Sequence, residues 1–193
     1  MHSRFSYDEL EIVPYTEHND TSSHFECASP ELNDFLKEDA LENQKELISK
    51  TYLCYYSNQL VGYITFATDV LKAKEMREKE HIEGMPYAEY PAIKIGRLAV
   101  DRKYERKGFG RFLLLIAVGK ALKISEEVGC RFITVDSKRE SIKFYQKHGF
   151  KLVKKHEKQN FPTLYLDIMP VIKEMKPIDM KLDDFSALQS TIV

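Results

Sequence analysis

The stretch AVDRKYERKGFGRFLLLIAV, residues 99–118, decides how this chain is read. Arg102, Lys103, Arg106, Lys107 and Arg111 crowd around Gly108-Phe109-Gly110, offset only by Asp101 and Glu105. A β-rich run, AIKIGRLAV, leads into the turn and the apolar run Phe112 to Val118 leads out, so the turn joins the exit of a strand to the start of a helix. Such a turn exposes backbone N–H groups that have no intrahelical acceptor, and the helix dipole adds partial positive charge there. Anions bind at such places, and the charge gathered here suits a diphosphate with a further phosphate nearby. Spacing excludes two familiar phosphate loops. There is no Gly-x-x-x-x-Gly-Lys-Ser/Thr, and the third glycine of a dinucleotide fingerprint would fall at Leu113.

The preceding strand carries a second signal. Ile93 and Ile95 alternate, but the next strong apolar residues are Leu98 and Val100, so the period of two slips by one residue. The slip predicts a β-bulge around Gly96 and Arg97, which leaves backbone groups without ladder partners and open to a ligand that lies along the strand.

Outward from this centre, DELEIVPY reads as a first strand. SPELNDFLKEDALENQKEL reads as a helix with Ser29 before Pro30, and KTYLCYYSNQLVGYITFATDV as a hairpin turning at Ser57-Asn58-Gln59. Residues 72–91 are mostly charged and read as a connector outside the core. Past the turn come a long helix stopped at Gly129, the strand RFITVD, and a short helix with Ser137 and Glu140 in capping-box spacing. The strands FKLVKK and TLYLDI follow. The pattern predicts an α/β fold with a mixed, mostly antiparallel sheet, splayed at a central strand and carrying helices on both faces. One domain over residues 1–169 is expected, with 170–193 as an extension or tail.

The bulk composition narrows the class. With a formal charge of -1, the whole-molecule field selects neither nucleic acid nor anionic membrane, so any basic site is local. Cys27, Cys54 and Cys130 are odd in number and widely spaced, which argues for a reducing compartment and against a disulfide framework or a zinc cluster. Cys27 and Cys54 sit in apolar surroundings and read as core thiols. No histidine pair has metal-ligand spacing, so no metal is expected. No apolar run approaches the ~20 residues of a membrane span, and the N-terminal residues carry no apolar signal core. A cytoplasmic protein without a membrane partner is expected.

RLAVDRKYERKGFGRFLL resembles the acetyl-CoA signature of the GNAT N-acetyltransferase superfamily, and SIKFYQKHGFKLV resembles its closing helix and strand. Upstream, FECASPELNDFLKEDALENQKELISKTYL is similar to the branch containing the tRNA-acetylating toxins of toxin-antitoxin systems. The resemblance implies acetyl-CoA as acyl donor, with pantetheine bonded to backbone along Leu98, Ala99 and Val100. It implies a phosphate cradle of Arg106, Lys107, Gly108, Phe109, Gly110 and Arg111. The signature's Arg/Gln position is occupied here by Glu105.

The same resemblance assigns Tyr145 to the departing thiolate as acid or hydrogen-bond donor. The N–H of Leu98 would stabilise the developing oxyanion. Relatives that acetylate lysine carry a glutamate base on the strand before the loop, and Lys94 stands there instead. A lysine amine is neutral in roughly one molecule in 2,500 at pH 7, an α-amine in about one in ten, so an α-amino acceptor such as an aminoacyl-tRNA can do without a strong base. A homodimer checked by an antitoxin belongs to that version. The alternatives are a small-molecule or protein amine acetyltransferase, a non-catalytic CoA-binding module, and an RNA-binding module that uses the basic loop directly.

Overall fold

The computed structural model describes residues 9–19, 25–76 and 87–175. The strands are β1 (Leu10–Pro14), β2 (Lys50–Tyr56), β3 (Gln59–Lys72), β4 (Glu89–Val100), β5 (Phe132–Asp136), β6 (Lys151–Leu152) and β7 (Thr163–Asp167). They pair in the order β1-β2-β3-β4-β5-β7-β6. The helices are α1 (Pro30–Asp34), α2 (Ala40–Lys45), α3 (Phe109–Glu127), α4 (Ile142–Lys147) and α5 (Met169–Met175), with a π-helical segment, Phe35–Asp39, between α1 and α2. The described residues divide into two compact units, one holding those up to Ala67 together with Gly96–Leu115, the other Thr68–Ile95 together with residues 116–175.

In the first unit β1 and β2 are antiparallel, as are β2 and β3. Ser57 and Asn58 take φ of 48° and 62°, the pair of positive values that a two-residue type I′ hairpin needs to match strand twist. Pro30 opens α1 as its position predicts, but the Ser29 side chain makes no cap bond, and its carbonyl accepts from the Leu32 and Asn33 N–H groups instead. The Gln44 side chain ties α2 to both neighbours, donating to the Tyr15 carbonyl and accepting from the Thr51 N–H, each at 2.9 Å. Phe25, Phe35, Leu36, Leu53 and Tyr63 fill the core. Gly62 is forced by close approach, because a Cβ there would lie 2.7 Å from the Ala99 carbonyl oxygen.

In the second unit β5 runs parallel to β4 from Ala92–Phe132 to Ile95–Val135, and β7 is antiparallel to both β5 and β6. Tyr90, Phe132 and Tyr165 meet edge to face at its core. Three sequence expectations change here. The connector contributes to the core at both ends, since Met76 and Tyr90 are buried with Leu71; residues 77–86 lie outside the described residues. The capping box does not form, because Ser137 Oγ donates to the Lys138 carbonyl and a short 3₁₀ turn, Arg139–Ser141, precedes α4. FKLVKK pairs only at Lys151–Leu152 before a 3₁₀ turn takes over. The tail begins as a helix, α5, whose first N–H at Met169 is capped by Asp167 Oδ1. Residues 176–193 lie outside the described residues.

Candidate functional site

β4 carries one residue more than β3 between two backbone bonds. Ala73 N–H donates to the Ala88 carbonyl and Asp101 N–H to the Val61 carbonyl, so β4 advances from 88 to 101 while β3 retreats only from 73 to 61. An extra residue on one strand of an antiparallel pair is a bulge, in line with the slip in apolar period. The Asp101 N–H faces β3, as does the Ala99 carbonyl that closes on Gly62. Alternation then turns the N–H and C=O groups of Leu98 and Val100 to the other edge of the strand. The ladder with β5 ends at Ile95, so that edge has no β5 partner from Gly96 onward. Ala99, between them, is buried against the first unit's core.

The turn after β4 is built by Asp101. Its carboxylate, 2% exposed, accepts the Lys103 N–H on one oxygen and the Glu26 N–H on the other, each at 2.9 Å. The chain then runs through a 3₁₀ turn, Arg102–Tyr104, into Arg106 at φ 57° and Gly108 at φ 111°. Arg106 therefore holds a left-handed conformation that costs a non-glycine residue energy. Phe109, buried and in edge-to-face contact with Tyr56 and Tyr104, pins the start of α3. The first bond of the helix runs from the Phe112 N–H to the Gly108 carbonyl. Among the described residues the N–H groups of Arg106, Lys107, Gly108, Gly110 and Arg111 have no acceptor. The five basic side chains are not equivalent: Arg102 pairs with Glu26 at 3.1 Å, and the Lys107 ammonium lies 5.1 Å from the centre of the Tyr104 ring.

Tyr145 belongs to the second unit, on α4. Its ring is buried between Phe144 and Phe150, at centroid distances of 5.1 and 5.4 Å, and its hydroxyl has no hydrogen bond among the described residues. Burial raises its pKa well above the ordinary phenol value, so the hydroxyl keeps its proton at neutral pH. Lys94 pairs with Asp136, whose other oxygen accepts the Thr163 hydroxyl. Burial would raise the Asp136 pKa, but the bonds from Lys94 and Thr163 and the charge of Lys94 outweigh it and hold the carboxyl below the usual range. Lys94, which stands where the resemblance expects a base, is thus tied to an ionised carboxylate. Cys27, Cys54 and Cys130 are buried thiols, and desolvation pushes Cys54 up to about 12. Among the described residues no group of three histidine, cysteine, aspartate or glutamate side chains is placed to hold a metal ion, and no helix is long and apolar enough to cross a membrane.

The acetyltransferase (GNAT) family model matches residues 12–150. The chain belongs to this family. This acetyltransferase is also similar to a tRNA-acetylating toxin of Mycobacterium tuberculosis, 26% identical over 82% of this chain and 90% of the relative. Its fold matches AtaT complexed with acetyl-methionyl-tRNAfMet, at TM-score 0.76 and 23% identity over 86% of this chain and 99% of that one. It also matches a tyrosine-to-phenylalanine mutant of KacT, at TM-score 0.75 and 22% identity over 86% and 99%.

Sequence reasoning passed over Asp101, Asp136 and Arg97. Asp101 was discounted as a charge offsetting the basic cluster, although an aspartate directly after a strand and two residues before a turn N–H is a capping signal in its own right. Arg97 had a signal too, a lone arginine between Ile95 and Leu98 in an otherwise apolar strand.

Proposed function

We propose that this GNAT acetyltransferase takes the acetyl group of acetyl-CoA to the α-amine of an aminoacyl-tRNA. The observation that carries the acceptor is the fate of the base position: Lys94 is an ammonium held by Asp136, and a carboxylate whose pKa is depressed is a weak base. A chain so equipped suits an amine that is already partly neutral near pH 7. Acetyl-CoA supplies the thioester. The pantetheine arm pairs with backbone at Leu98 and Val100, and the phosphates sit on the N–H groups from Arg106 to Arg111. The Leu98 N–H takes the developing oxyanion as the amine nitrogen bonds to the carbonyl carbon and the carbon–sulfur bond breaks. The amine gives up one proton and the departing thiolate gains one. Tyr145 donates a hydrogen bond to that thiolate; its raised pKa widens the gap to a thiol at ~8.5, so it acts without losing its proton.

The mycobacterial tRNA-acetylating toxin, and AtaT in its complex with acetyl-methionyl-tRNAfMet, support the toxin reading. An antitoxin partner follows by analogy with AtaT, which binds the C-terminus of AtaR. A homodimer and a cytoplasmic location belong to the same proposal, as does a single catalytic domain over residues 1–169. The test is labelled acetyl-CoA mixed with total charged tRNA, deacylated tRNA and lysine peptides. Label in charged tRNA alone supports the reading, and label in the peptides overturns it.

A further inference from the structure

Among the described residues two arginines lie over aromatic rings with an enclosed Nε that has no hydrogen-bond partner, Arg97 over Phe35 and Arg131 over Phe132. They differ in charge balance. Arg131 donates to the Asp167 carboxylate at 2.9 Å. Arg97 has only the carbonyl of its own neighbour Gly96, at 2.8 Å from Nη1, and among the described residues no carboxylate lies within ion-pairing reach of it. A half-buried guanidinium carries a desolvation cost that an anion ordinarily offsets, and its planar fork matches the two oxygens of a phosphate. The Phe35 ring lies against this guanidinium, 4.9 Å from Cζ to the ring centre.

Its position says which anion. Arg97 directly precedes Leu98, beside which the acceptor amine must react, and its side chain turns toward the α1 end of the first unit. In an aminoacyl ester of a nucleic-acid 3′ end, the ester carbonyl is next to the amine and carries no charge. The first anion along the molecule is the 5′-phosphate of the terminal nucleotide, a ribose away. We infer that Arg97 is an acceptor-binding residue that grips this terminal phosphate and so selects a nucleotide ester over a free amino acid or peptide. The inference rests on the aminoacyl-tRNA reading above.

The experiment compares two small acceptors that differ by one group: 3′-O-aminoacyl esters of adenosine 5′-monophosphate and the same esters of adenosine, made from a panel of amino acids. Thiol release from acetyl-CoA is followed with the wild-type chain, Arg97→Gln and Arg97→Lys. Wild type is expected to favour the phosphorylated ester by about tenfold or more in kcat/KM, mostly through KM. Arg97→Gln should erase that preference while leaving the adenosine ester and the KM for acetyl-CoA unchanged, and Arg97→Lys should keep part of it, as a point charge without a fork. Equal use of both esters by the wild type overturns the inference and leaves the acceptor reading standing. Equal loss on both esters in Arg97→Gln also overturns it, leaving Arg97 as packing for Phe35. If no aminoacyl ester or charged tRNA is acetylated at all, the acceptor reading falls and the inference with it.

Discussion

Tyr63 and Tyr145 are both buried, and burial raises the pKa of both above the ordinary phenol value, yet they are finished differently. Tyr63 sits between Phe25 and Phe35 and donates its hydroxyl to the Leu32 carbonyl at 2.7 Å, so its polar end is spent on holding α1 against β3. Tyr145 has the same aromatic setting, between Phe144 and Phe150, but no protein acceptor for its hydroxyl among the described residues. Burying a phenol without a partner costs free energy, which a fold tolerates where a bound molecule completes the bond. Arg131 and Arg97 repeat the contrast with charge: one is neutralised by Asp167, and the other has no carboxylate within reach among the described residues.

The comparison breaks first at Tyr145→Phe. Its kcat should fall by about 10² or more with KM for acetyl-CoA unchanged, because the proposed bond to the departing thiolate would form only as the reaction proceeds. Its thermal unfolding should stay close to wild type, since no hydrogen bond to a described residue is removed. A large loss of stability with full turnover per folded molecule would place Tyr145 on the Tyr63 side of the contrast. Next comes Gly62→Ala, beside Tyr63: its Cβ meets the Ala99 backbone, so denaturant melts should show about 1–3 kcal/mol of destabilisation. Tyr63→Phe should cost about 1 kcal/mol, by leaving the Leu32 carbonyl short of a donor, with kcat on the folded fraction intact.

The smallest effect is expected at Lys94→Met. Asp136 has a folded pKa held below its unfolded value, so the pair contributes stability above the ordinary carboxylate pKa of ~3.9 and loses it as pH falls through the lower, folded value. Removing Lys94 should raise the acid-unfolding midpoint slightly, read by circular dichroism against pH. An unchanged midpoint would show that the pair, partly open to solvent, contributes nothing measurable.

Local chemistry made parts of the fold legible in advance. Pro30, the Ser57-Asn58 turn and the Gly108 turn each fix a backbone geometry by residue type, and the structure has all three. The bulge in β4 was visible because a slip of one residue moves apolar side chains to the wrong face. What sequence did not reveal depends on partners far away in the chain. Tyr90 and Met76 look like surface residues in a charged connector until β5 and β7 bring Phe132 and Tyr165 against them. Ser137 and Glu140 have capping spacing, but the 3₁₀ turn gives the serine hydroxyl a nearer acceptor. Arg97 reads as a polar interruption in a strand, and what sets it apart from Arg131 is that no carboxylate among the described residues pairs with it. Tyr145 is singled out by resemblance alone and its catalytic role is a proposal, since neither spacing nor composition tells a packed phenol from a catalytic one.

The π-helical segment Phe35–Asp39 is an α-helix with one residue inserted, and such segments arise by gain of a single codon. Losing that codon again would wind the segment into a regular helix and, with α2 anchored through Gln44, swing Phe35 about 100° around the axis. The ring would leave the underside of Arg97 while the rest of the domain kept its course. Descendants of this gene that differ by one residue in this helix would then differ in which acceptors they hold, an inherited setting adjusted by length and not by side-chain chemistry.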